Sequence, residues 1–377
     1  MVGGALTALW FIKARILLSK LRPPTGLSIK RTNITMIKGT YFCIDAHTCG
    51  NPVRLVTTGH PNLKGNTMSE KRLDFIKNYD WIRQGLMFEP RGHDMMSGSF
   101  LYPPCSENAD ASILFIETSG CLPMCGHGTI GTVTAAIENG LLIPKTVSAN
   151  ENKKLIIDVP AGQVSVEYQQ KNEKVTSVKI FNVASYLAHR DVILDIPSLG
   201  SLRVDVSYGG NFYVIVEPQE NFPGIDAWDA GQLLHWSLIV REIASKELTC
   251  VHPEDASVNG ISHVLWTGKP QTQGSDAANA VFYGDKAIDR SPCGTGTSAR
   301  MAQLFAKGQL SLGDTFVHES YIGSQFIGKI EQVIELNSTN GKIPAIMPSI
   351  KGWARVFGQN CITIDDDDPY ACGFVVK

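Results

Sequence analysis

The chain has no surplus of charge of either sign: 34 Lys and Arg stand against 36 Asp and Glu in 377 residues, a formal net charge of −2. Proteins that track a phosphate backbone carry a basic surplus, so no nucleic-acid partner is expected. It lacks an apolar run long enough for a bilayer, since the stretch from Gly3 to Ile12 falls well short of the roughly 20 residues a spanning helix needs. No membrane association is expected. Lys13, Arg15, Lys20, Arg22, Lys30 and Arg31 follow that stretch instead of preceding it, the reverse of a secretory signal. Residues 1–36 therefore read as an extension outside the fold, with a weak transit peptide as the alternative. A disulfide framework is also missing: nine cysteines, an odd number, are scattered over a long chain, which suits a reducing, cytoplasmic setting. With 43% hydrophobic and 19% charged residues, long disorder, collagen and coiled coil are excluded, and the length suggests two domains.

From Tyr41 onward, short β-like runs alternate with Gly, Pro and Asn punctuation: YFCID, RLVTTG, SFLYPP, ASILFIETSG and LIIDVPAGQVSVEY. Two helices are predicted at Thr129–Asn139 and Thr297–Lys307, each ending on a glycine suited to a C-cap, Gly140 and Gly308. Two more are predicted at Glu70–Tyr79 and Ala230–Lys246. The glycine-capped helices superpose in sequence at an offset of 168 residues: Cys125 falls on Cys293, Gly126 on Gly294, Gly128 on Gly296, Thr129 on Thr297 and Leu142 on Leu310. A repeated Cys-Gly-x-Gly-Thr signature implies internal duplication. The expected halves are 37–203, rejoined by 357–377, and 204–356.

A Cys-Gly-x-Gly-Thr loop opening a helix offers unpaired N–H groups and the positive end of the helix dipole, a site for a carboxylate. The same field favours thiolate, so both thiols are expected to have lowered pKa values. Two such cysteines facing each other across a cleft suit inversion at the α-carbon of an amino acid, one thiolate removing the proton and the opposite thiol supplying another. No lysine motif for pyridoxal is evident, so no cofactor is expected.

Other readings of the same residues are weaker. Gly126 to Gly131 is formally a GxGxxG, but Ser119–Met124 separates it from its strand, unlike a dinucleotide fingerprint. Cys121, Cys125 and His127 have the spacing of half a zinc site without a second pair of ligands, so no metal is expected. Cys43, Cys49, Cys105, Cys121, Cys250, Cys361 and Cys372 have no glycine-rich helix entrance and read as small hydrophobes or loop residues. Asp365–Asp368 reads as a solvated turn. His47, His93 and His263 remain open between structural and catalytic use. A thiol redox sensor using low-pKa cysteines, or a non-catalytic imino-acid binder, stays as a rival of another class.

MCGHGTIG around Cys125, DRSPCGTGTSARMA around Cys293 and IDAHTCGNPVRLV near the start resemble the proline racemase family over roughly Met36 to Lys377. EPRGHDMMSG, FIETSGCLPMCGHGTIG, YGGNFY and GWARVFG place the closest likeness among its hydroxyproline-epimerising members. The resemblance implies a mixed α/β (α+β) fold of the diaminopimelate-epimerase type: two pseudo-symmetric domains, each a curved sheet around a central helix, as a monomer or homodimer. It implies Cys125 and Cys293 as acid/base pair, and Gly126, His127, His263, Asp289, Gly294 and Thr295 as substrate contacts, Asp289 through the substrate's ring nitrogen. The implied reaction interconverts trans-4-hydroxy-L-proline and cis-4-hydroxy-D-proline. Related trans-3-hydroxyproline dehydratases usually carry threonine in place of Cys293, and proline racemases tend to carry an aromatic residue in place of Ser97. Both remain rivals. Ser97 and Tyr283 are expected to flank the 4-hydroxyl group.

Overall fold

A computed structural model describes residues 37–145, 153–339 and 341–376. The expected extension, 1–36, lies outside the described residues. Among them are five helices: α1 (Met68–Asn78), α2 (Asp80–Met87), α3 (Gly126–Glu138), α4 (Ala230–Glu247) and α5 (Gly294–Ala306). None is long and apolar enough to cross a membrane. Capping boxes start two of them: Thr67 with Glu70 for α1, and Asp229 with Gln232 for α4. Helix α2 was not anticipated; it follows α1 after Tyr79 alone, so its pattern merges with that of its neighbour.

Seventeen strands form one continuous mixed sheet that curls around α3 and α5. Helix α3 packs on strands Ile37–Thr48, Asn51–Thr58, Ser97–Tyr102, Lys174–Phe181 and Ala354–Asp365. Helix α5 packs on Ser185–Ile196, Gly200–Tyr208, Phe212–Val216, Gln325–Ser338 and Gly341–Gly352. Each is buried over three of its turns, from Gly126 to Ala136 and from Gly294 to Leu304. Small residues and threonines on every face let the strands close around both helices, which is why neither has the one-sided stripe of a surface helix.

The duplicated helices thus sit at the centres of two groups of strands, and Ser185–Ile196, placed before the expected boundary at 203, packs on α5. Ser185–Ile196 and Gly200–Tyr208 form an antiparallel hairpin through the turn at Ser198. One strand cannot leave without the other, so residues 185–203 pack with the second half. The crossing falls near Asn182, whose amide donates to the Gly209 carbonyl at 2.9 Å and the Ser298 hydroxyl at 2.8 Å. The return to the first half begins at Ala354, whose strand pairs antiparallel with Ile37–Thr48. Beyond it, Arg91 bonds Asp368 at 2.9 Å and the Phe374 N–H donates to Glu89 O at 2.9 Å.

Gly209 shows how closely the second half is fitted. A Cβ there would lie 2.2 Å from the Thr295 carbonyl oxygen and 2.5 Å from Ala299 N, both backbone atoms of α5. Gly209→Ala is therefore expected to cost about 1–3 kcal/mol through overpacking. The urea midpoint of the variant checks this; an unchanged midpoint would show that α5 shifts freely.

Candidate active site

Strand Ala111–Glu117 ends in a loop that delivers Cys125 as the N-cap of α3, and the Asp289–Pro292 segment delivers Cys293 as the N-cap of α5. The predicted helices started three residues too late because the cysteines themselves are caps. Each sulfur accepts a backbone N–H three residues on, from Gly128 at 3.3 Å and Gly296 at 3.4 Å. A Cβ on Gly128 would approach the Cys125 sulfur to 2.8 Å, and one on Gly296 the Cys293 sulfur to 3.1 Å. The second glycine of each signature makes room for the capping thiol. The first glycines bring the helices together: a Cβ on Gly126 would stand 3.1 Å from Gly294 Cα. The two helix N-termini therefore converge.

Between them is a cavity of about 20 Å³ lined by Cys125, Cys293, Gly126, His127, His263, Tyr283, Asp289, Gly294 and Thr295, with Glu117, Leu122, Met124 and Asn211. A larger cavity of about 360 Å³ adjoins it, sharing Leu122, Asn211, His263 and Tyr283 and carrying Arg241 and Lys286. Every expected binding residue reaches the central cavity except Ser97. The Ser97 hydroxyl is buried behind Glu117 and donates to its Oε1 at 3.1 Å, so it is not placed to meet a substrate hydroxyl. His47 meets Trp353 edge-on and stacks on Phe357, and neither it nor His93 lines the cavity.

Sequence reasoning missed Glu117, Asn51 and Tyr213. The Cys125 thiol donates to Glu117 Oε1 at 3.0 Å, and Ser119 donates to Oε2 at 3.2 Å. Asn51 Oδ1 accepts the Arg290 N–H at 3.1 Å, which orients its amide nitrogen toward His127 Nε2 at 3.0 Å. The other ring nitrogen lies 3.8 Å from Asp289 Oδ2. On the second side, the Tyr213 hydroxyl lies 3.4 Å from the Cys293 sulfur and 2.6 Å from the Thr295 hydroxyl. One signal was available: Glu117 is a carboxylate ending an otherwise apolar strand, a position charges rarely take without a partner. Glu117, Cys125 and His127 lie within 4.8 Å of one another, as metal ligands would. Their donor atoms, however, are already bonded to one another or to Asn51, and we read them as a hydrogen-bonded network.

The expected lowering of both thiol pKa values is overturned. Burial pushes Cys293 up to about 12, with the Asp289 charge adding to it against the bonds from Tyr213 and Gly296. Burial also raises Cys125 well above its ordinary value, and Glu117 raises it further. One backbone N–H per sulfur does not repay removal from water. Burial raises Asp289 as well, and lowers His263 to about 3, leaving a neutral imidazole bonded through Nδ1 to Ser262 at 2.6 Å.

Two halves of α/β structure, each contributing a helix that presents a cysteine to a shared cavity, define an epimerase-type protein. The chain belongs to the proline racemase family, whose model matches residues 43–375, and is an isomerase. A 4-hydroxyproline 2-epimerase of Shewanella loihica is 69% identical over 341 residues, 90% of this chain and 100% of that one. The crystal structure of a hydroxyproline epimerase from Agrobacterium vitis, with bound trans-4-hydroxy-L-proline, is similar with a TM-score of 0.79 at 25% identity, covering 90% of this chain and 96% of that chain. A PhzF-family phenazine biosynthesis protein of Bacillus anthracis shares the fold, with a TM-score of 0.52 at 17% identity over 86% of this chain and 99% of that one. The diaminopimelate-epimerase type of fold is thus present.

Proposed function

We propose that the protein interconverts trans-4-hydroxy-L-proline and cis-4-hydroxy-D-proline by proton transfer between Cys125, the α-carbon and Cys293. The observation that carries this reading is the pair of capping cysteines on converging helices around one cavity. The 69% identical relative, matched over its whole length, supports the choice of substrate. A thiolate on one face takes the α-proton; the thiol on the other face gives its proton to the opposite lobe of the carbanion. The Cα–H bond that breaks is replaced by one of inverted configuration, and one proton has moved between sulfurs. First-turn amides of α3 and α5 face the developing charge on the substrate carboxylate, where preorganised donors lower the barrier most. Asp289 faces the substrate's ring ammonium, and that cation in turn favours a thiolate beside it.

The test is a panel of trans-4-hydroxy-L-proline, L-proline and trans-3-hydroxy-L-proline in deuterated water, followed by NMR for α-deuteration and by chiral chromatography. We expect cis-4-hydroxy-D-proline with deuterium at Cα, at a kcat/KM at least about tenfold above that for proline, the range one lost polar contact spans. Equal turnover of proline would reassign the substrate. Dehydration of the 3-hydroxy compound would reassign the reaction, and a reversible disulfide without α-exchange would make the protein a redox sensor.

A further inference from the structure

We propose that the two thiols hold their protons unequally before substrate binds: Cys125 keeps its own against the Glu117 carboxylate, while Cys293 is the first to yield, with the Tyr213 hydroxyl placed to receive its thiolate. Glu117 is then a positioning residue that fixes which face of the site removes a proton first. This rests on the two-thiol reading above and deepens it.

The duplicated signature would make the halves equal; the side chains around it do not. Glu117 takes the Cys125 S–H on Oε1 together with the Ser97 O–H, and the Ser119 O–H on Oε2. Three donors converge on it, and the bond to Cys125 exists only while the sulfur carries its proton. Around Cys293 the polarity is reversed. Its neighbours are the Tyr213 hydroxyl, the Thr295 hydroxyl at 3.9 Å and the Gly296 N–H, each able to donate to a sulfur anion.

The remaining charged and titratable groups leave this asymmetry standing. Asp289 acts on both sulfurs. His127, 3.7 Å from the Cys125 sulfur through Nδ1, is the one group that as a cation would favour a Cys125 thiolate. Its Nε2 faces the Asn51 amide donor, whose orientation the Arg290 N–H fixes, so Nε2 accepts, and Nδ1 lies 3.8 Å from Asp289 Oδ2. Tyr283, facing Glu117 and Asp289, is held protonated by burial, and His263, stacked on Tyr213 at 4.6 Å, is neutral.

The two states balance without another reactant. Cys293 thiolate takes the α-proton and becomes a thiol; Cys125 thiol gives up its proton and becomes a thiolate beside Glu117. That product form brings two anions together, so the proton tends to return to Cys125.

Site-resolved alkylation of the substrate-free full chain tests this. Iodoacetamide reacts with thiolate, and the two cysteine residues are similarly buried, 4% and 6% exposed, so access favours neither strongly. Peptide mass spectrometry between pH 6 and 9 is expected to show Cys293 labelled at least about tenfold faster than Cys125, the effect of about one pKa unit between them. Glu117→Gln, whose amide donates to the Cys125 sulfur, should bring the ratio to one or invert it. Tyr213→Phe should slow labelling of Cys293 alone. Where Glu117→Gln fails to fold, Glu117→Asp should give an intermediate ratio. Labelling of Cys125 at an equal or greater rate in the wild-type protein, or a ratio unmoved by either Glu117 variant, overturns the proposal. The assay contains no substrate, so failure of the hydroxyproline assignment alone would leave the ratio as expected.

Discussion

Cys125→Ser and Cys293→Ser are each expected to lower epimerisation by at least about 10³-fold, within the range one positioned acid/base group supplies. The loss is chemical. Serine is itself a preferred N-cap, and its oxygen can still take the Gly128 or Gly296 N–H that the sulfur now accepts, so both helices should form. What serine cannot do is give and take a proton near neutrality, because its hydroxyl is far less acidic than a thiol. Inversion needs a group on both faces, so either substitution suffices. The remaining thiol can still remove an α-proton and return a deuteron to the same face. Each variant should therefore exchange the α-hydrogen of one epimer without forming the other, and the two variants should prefer opposite epimers. Chiral chromatography with NMR in deuterated water reads both quantities. A single variant keeping more than about a tenth of the wild-type rate would remove the two-thiol mechanism.

The repeat was legible because its reason is local: a capping cysteine with a glycine three residues on has one use for that spacing, and the sulfur contacts of Gly128 and Gly296 show it. Helices α1, α3, α4 and α5 followed from caps and periodicity within a few residues. What the sequence did not disclose depends on residues brought together over long separations. Asn51 reaches His127 from 76 positions away, and Tyr213 reaches Cys293 from 80. Ser97 was read from a position associated with substrate choice, but strand pairing sets it directly opposite Glu117. The symmetry itself misled at the backbone. Cys125 is extended at φ −142°, while Cys293, after Pro292, takes φ +63°, an uncommon conformation for a side-chain-bearing residue. An alignment of the two motifs shows neither this nor the opposite polarity of their neighbours. The thiol pKa values failed for a related reason: the helix dipole is visible in sequence, while complete burial is a property of the closed fold.

Stability is expected to be flat from pH 7 to about pH 9 and to fall steeply above it. Burial pushes Cys43, Cys49, Cys121 and Cys293 from 9.0 up to about 12 each, and Tyr41 from 10.0 up to about 12. In the unfolded chain these groups ionise at their ordinary values; in the folded chain they stay protonated. Between pH 9 and 12 the unfolded state therefore binds fewer protons, and stability declines with rising pH. Below pH 9 both states are protonated and the contribution is complete. A three-unit shift corresponds to about 4 kcal/mol per group as an upper bound. Even half of that, summed over four thiols, is comparable with the 5–15 kcal/mol net stability of a typical domain. Cooperative unfolding is thus expected before pH 12, read as a urea midpoint constant from pH 7 to 9 and falling beyond. Cys121→Ala should flatten that fall by close to one proton, because its thiol sits in an apolar cluster with Phe75, Leu114 and Ile116 that includes neither cysteine of the acid/base pair. Turnover needs one thiolate of the reactive pair, so its rate should climb with pH until the fold gives way. An unchanged urea midpoint up to pH 11 would mean that the folded protein ionises these thiols as readily as the unfolded chain.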